Sequence, residues 1–164
     1  MEFAFKELTV DELSSEKVKR LYHYWNQRRG ERLYPSEGSI QLADIPDVEP
    51  YLMFARITYP PFFIRYGHIG VQITHFYGRN LSGQYLQDIF DGPMLRHFEV
   101  PHRIAMTRPL PLLGVEVWSG TKVTYEWGIF PLSDNGVHIN CNLVIEDYSG
   151  LNRSELPDFD YKQQ

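Results

Sequence analysis

The chain has 164 residues, 43% hydrophobic and 15% aromatic, and carries a formal net charge of −5. This length and composition predict one domain with a sizeable core and exclude a disordered, collagen-like or low-complexity chain. No apolar run reaches the ~18–20 residues of a membrane-spanning helix, and the acid-bearing start MEFAFKELTVDE is unlike a secretory signal, so a cytoplasmic protein is expected. The negative balance argues against a nucleic-acid partner. Cys141 is the single cysteine, which excludes an intramolecular disulfide and a thiolate-only metal site.

Thr9 and Glu12 fit a capping box, and Val10, Leu13, Val18, Leu21 and Trp25 then recur at helical spacing until Gly30. An amphipathic helix over residues 10–29 is expected, with Lys17, Lys19, Arg20, Arg28, Arg29 and Arg32 on its solvated side and C-terminal end. Residues 30–52 read as a proline-rich connector with one short helix, Asp44 capping a turn around Ile45–Tyr51. Met53–Tyr59 and Phe62–Ile69 read as paired strands joined by Pro60 and Pro61. Alternation places Phe62, Ile64, Tyr66 and His68 on one face of the second strand.

Short helices are expected between residues 70 and 100, one around Val71, Thr74, His75 and Phe76 and another around Tyr85, Leu86, Ile89 and Phe90. Pro101 predicts a kink or a restart in the run from Met94 to Met106. Three strands follow, Leu112–Trp118, Lys122–Pro131 and Val137–Tyr148, with a turn at Ser119–Gly120 and an Asn135-Gly136 hairpin between the last two. In the last strand Val137, Ile139, Cys141, Leu143 and Ile145 alternate with His138, Asn140 and Asn142, the pattern of one covered and one polar face. The acidic tail, residues 149–164, is expected to fray around Pro157. The fold class is α+β: a five-stranded antiparallel sheet with short helices on one face and an amphipathic helix at the N-terminus.

Several motifs stand in a telling order: Tyr24-Trp25, Arg29-Gly30, Pro35-Ser36, Asp44-Ile45-Pro46, the segment IRYGHIGVQITHFYGRNLSGQYLQDIF, Arg108-Pro109 and FPLSDNGVHINCNLVIEDY. In this order and spacing the chain resembles a bacterial PAS-like family, PAS_5 (DUF1457), over roughly residues 20–148. The resemblance implies a PAS core over residues 53–148 and a sensory or interaction module. It implies no agreed ligand and no catalytic activity. Signalling would then run through protein contacts, with a homodimer or a regulatory protein as partner.

Enzyme signatures are weak. Cys141 lies mid-strand on an apolar face, where a reactive thiolate is not expected. No nucleophile elbow or phosphate loop is present. The six histidines, His23, His68, His75, His97, His102 and His138, form no zinc-like pair. A haem needs only one helical histidine, for which His75 and His97 are the candidates. The cysteine is on a strand, so flavin–cysteine adduct chemistry is excluded. No cofactor is assigned.

An aromatic-lined pocket remains, with Tyr66, His68, Phe76, Phe90, Tyr125 and Trp127 as candidate ligand-binding residues. His68 is singled out, because an imidazole on an inward face needs a partner. Phe54, Phe63, Ile69, Phe130 and Val144 are expected on the other face, to be covered by Val18, Leu21 and Trp25 of the helix in the same subunit or a second copy. The leading expectation is a non-enzymatic sensory module with a small-ligand pocket. Alternatives are a small cone-shaped α+β enzyme using His68 with Glu116 or Glu126, and a ligand-free structural adaptor.

Overall fold

Six segments rich in β-branched and aromatic residues form one antiparallel sheet: β1 (Phe3–Leu8), β2 (Leu52–Thr58), β3 (Phe63–Ile69), β4 (Leu112–Trp118), β5 (Glu126–Leu132) and β6 (Cys141–Glu146). A computed structural model describes residues 3–118, 123–156 and 158–163. The sheet order is β1-β4-β5-β6-β2-β3. The chain is α+β as expected, with one more strand than the five anticipated. The addition, β1, pairs antiparallel with β4 along its whole length. The expected turn at Ser119–Gly120 and the position of Pro157 lie outside the described residues.

Strand alternation sorts the sheet into two faces. Cross-strand pairs put Phe54, Leu143 and Phe130 together on the first. Helix α1 (Glu16–Arg29) lies there, burying Val18, Leu21, Tyr24 and Trp25. Trp25 packs against Phe130 and donates its Nε1–H to the Pro131 carbonyl (2.9 Å). The candidate partner face formed by Val18, Leu21, Trp25, Phe54 and Phe130 is therefore filled within one chain. Phe63 is exposed on β3 beside Tyr85, and Val144 lies on the opposite face.

Helix α1 starts six residues later than the expected span of 10–29. The Thr9–Glu12 capping box forms, but it closes a single 3-10 turn. The cause is Glu126 of β5, which accepts the backbone N–H of Ser14 (2.8 Å) and Ser15 (2.6 Å). Those donors are turned toward the sheet, and Ser15 caps the new start by accepting from Val18 N–H. The connector holds three 3-10 turns, Glu37–Ser39, Leu42–Asp44 and Glu49–Tyr51. Asp44 caps none of them; its carboxylate accepts from the Tyr24 hydroxyl (3.0 Å).

The second face carries α2 (Val71–Tyr77), α3 (Leu86–Ile89) and α4 (Gly92–Ala105). Helix α4 runs through Pro101 without a restart, its ring buried. Residues 137–140 are loop, because Asn135 Oδ1 accepts the N–H groups of Val137 (2.9 Å) and His138 (2.8 Å). Strand β6 accordingly begins at Cys141, and all six of its residues are buried. Both faces are covered, which corrects the expected polar face. The tail also departs from expectation: Phe159 is buried and stacks on Tyr77, and Lys162 N–H donates to the Ile89 carbonyl (2.8 Å).

Truncating the anchor of α1 tests this arrangement. Trp25→Ala is expected to cost about 3–5 kcal/mol in urea unfolding, through lost burial and a cavity. Trp25→Phe keeps most of the packing and is expected to cost about 1–2 kcal/mol for the orphaned Pro131 carbonyl.

Candidate functional site

Between the second face of the sheet and α4 lies a cavity of about 40 Å³. That is room for on the order of three waters. Its floor comes from alternate strand positions: Met53 and Tyr66, Val144 and Glu146, Trp127 and Ile129, and Glu116 of β4 beside Tyr125. Its roof is one stripe of α4, His97, Phe98, Pro101 and His102, at helical spacing. Gly114 lies against the Trp127 ring. A β-carbon there would meet the Trp127 ring at 2.4 Å, so the indole lies against bare backbone.

Two carboxylates are buried here. Glu116 pairs with His97, whose Nε2 lies 2.9 Å from Oε2, and the two side chains are 5% and 7% exposed. Glu146 accepts from the Tyr77 hydroxyl (3.0 Å to Oε1) and from the Tyr148 hydroxyl. Burial raises the Glu146 carboxyl to about 7; the two tyrosine hydrogen bonds pull back, and the charge of Glu116 adds to the rise. Burial also holds both tyrosine hydroxyls well above 10, so they remain donors.

Burial lowers His102 to about 4, so its imidazole is neutral at pH 7. Its Nδ1 accepts from Asn142 Nδ2–H (3.0 Å). Among the described residues two buried polar atoms of this region have no partner, Trp127 Nε1–H and Asn142 Oδ1. Such groups are rare and costly unless something fills the space beside them.

The sequence-derived candidates divide. Tyr66, Tyr125 and Trp127 line the cavity. Phe76 and Phe90 are buried elsewhere on this face, Phe76 stacked on Tyr148 and Phe90 on Phe98 and Tyr161. His68 is outside: its side chain is 46% exposed and pairs with Glu49 at 2.8 Å. The β2–β3 register shifts between Met53 and Ala55, so Ala55 faces Tyr66 but Met53 faces Ile69. This bulge breaks the alternation on which the inward placement of His68 rested. Glu126, the other acid considered with His68, caps α1 on the opposite face.

Sequence reasoning did not bring together His97, His102, Glu116 and Glu146. The helical stripe 97–98–101–102 and the polar alternation Asn142–Glu146 were the available signals. The kink or restart expected at Pro101 and the polar face expected on the last strand hide both. Cys141 is a buried core residue whose thiol burial lifts to about 12. Among the described residues no three His, Cys, Asp or Glu side chains gather as a metal set, and no helix is long and apolar enough to cross a membrane. No protein-family model, curated protein or solved structure matches the chain.

The two buried titrations oppose each other. Glu146 is raised from 4.5 to about 7, so its contribution is fully present below pH 4.5 and is lost as pH rises through 7. His102 is lowered from 6.5 to about 4, so its contribution is present above pH 6.5 and is lost as pH falls through 4. Each is worth about 3 kcal/mol at most. Glu146→Gln is expected to gain up to about 3 kcal/mol over the wild type at pH 8 and nothing near pH 4. Urea unfolding at both pH values measures the difference; equal gains at both would remove the buried carboxylate as its cause.

Proposed function

We propose that the chain is a PAS-like sensory and regulatory module of the cytoplasm, which holds a small molecule between its sheet and α4 and signals through contacts with a second copy or a regulatory protein. The observation that carries this reading is a small, mostly apolar cavity lined by Trp127, whose buried indole N–H has no partner among the described residues. A filled structural adaptor has no use for it. The order of elements after β1 supports the PAS reading: helix, two strands, short helices, three strands. So do the contacts of the motif residues. Tyr24 binds Asp44, Trp25 binds Pro131, and the Pro35 carbonyl accepts the Ser133 N–H (2.9 Å). The motifs far apart in the sequence thus hold one another.

A second reading, an acid–base enzyme, is favoured by one observation. A His97–Glu116 pair and a carboxyl near neutral pKa share one cavity, as general acid–base chemistry requires. Its histidine is His97 and not His68. The small space favours retention of a ligand over turnover.

Native mass spectrometry of freshly purified protein, repeated after denaturation, tests the sensor reading. The expected result is excess mass that is lost on denaturation and is reduced in Trp127→Phe. A clean mass together with turnover of a substrate in a hydrolase and transferase screen would replace the sensor with the enzyme. A clean mass without turnover would leave the adaptor.

A further inference from the structure

We infer that this cavity recognises a small organic cation, a primary amine of a few heavy atoms that also carries a hydroxyl or similar hydrogen-bond acceptor. The inference deepens the sensor reading and rests on it.

The charge of the walls comes first. Glu146 is buried with tyrosine hydroxyls as its only hydrogen-bond partners among the described residues, and no Lys or Arg is among the described lining residues. The described groups facing Glu146 come from several elements. Tyr77 comes from α2, Tyr148 from beyond β6, Tyr66 from β3, Tyr125 from before β5, Glu116 from β4, His97 from α4 and Tyr161 from the C-terminal segment. Only His97 in this set can carry positive charge, and it already sits on Glu116. Burying a carboxylate without a cation is costly, and a ligand ammonium would relieve that cost.

The remaining walls suit the same ligand. Tyr66, Phe98, Tyr125 and Trp127 present rings to the cavity, and ring faces attract ammonium groups, indole most strongly. Trp127 Nε1–H has no partner, and a hydroxyl oxygen supplies one. An anion would meet two carboxylates here and is repelled. A purely apolar ligand would leave the indole N–H unsatisfied. A volume of about 40 Å³ restricts the molecule to ammonium, methylammonium or ethanolamine size.

The test is calorimetric titration of the full chain at pH 8 with ethanolamine, ethylamine, ethylene glycol and glycolate, at matched ionic strength. Saturable binding of ethanolamine is expected, with ethylene glycol and glycolate silent. Glu146→Gln is expected to weaken ethanolamine binding about tenfold or more, since one charge-assisted contact is worth at least that much. Trp127→Phe is expected to erase the preference for ethanolamine over ethylamine. Binding that requires the ionised carboxylate should weaken about tenfold for each pH unit below 7. Stronger binding of ethylene glycol or glycolate, or equal ethanolamine binding by Glu146→Gln, would overturn the cation and leave the sensor standing. Silence of all four probes beside a retained mass in the native spectrum would also overturn the cation alone. Silence beside a clean mass would overturn both.

Discussion

A carboxylate at the centre of a sheet covered on both faces is the constraint around which this molecule is arranged. Strand β6 lies between β5 and β2, and alternation turns Asn142, Val144 and Glu146 toward the helices. Glu146 is only 5% exposed. The fold meets its needs with hydroxyls: Tyr77 from α2 and Tyr148 just past the strand. Tyrosine donors lower the cost of burial without supplying a counter-charge, which is why the carboxyl still takes up a proton near neutrality.

That arrangement reaches further than the cavity. The ring of Tyr77 stacks on Phe159, and its carbonyl accepts from the Tyr161 hydroxyl. Tyr161 in turn lies under the Arg79 guanidinium and beside Phe90. A segment whose acids suggest fraying is therefore held by aromatic contacts with the residue that serves Glu146. Cavity and C-terminal segment share a side chain, so order in the one is physically continuous with order in the other.

Periodicity made most of the elements legible, since β2, β3, β4 and the short helices follow from alternation and helical spacing. The misses share a cause: a tertiary contact overrode a local rule. Glu126 displaced the start of α1, Asn135 drew the N–H groups of Val137 and His138 into a turn, and α4 continues through Pro101. In the site, Tyr66, Tyr125 and Trp127 were within reach of alternation alone. His68 was not, because one bulge reverses its direction. Glu116 and His97 come from segments whose meeting depends on how α4 crosses the sheet, a property that no local pattern encodes.

The short motifs around α1 and the connector lie across the sheet from the cavity, whereas the two longer segments of the resemblance carry Tyr66, Val144 and Glu146 into it. Tyr24, Trp25, Pro35 and Asp44 act around α1 and the connector, sealing the first face through Pro131 and Ser133. They specify how the domain closes, and a chain can keep all of them while changing every group that a ligand would meet. The chemistry of recognition belongs to the second face, where β4, β5 and β6 contribute Glu116, Trp127 and Glu146 and α4 contributes two histidines. The part of the resemblance carried by the first face therefore argues for architecture. The nature of the ligand must be argued from charge, ring faces and unmet hydrogen bonds on the second, and there the balance is acidic and aromatic.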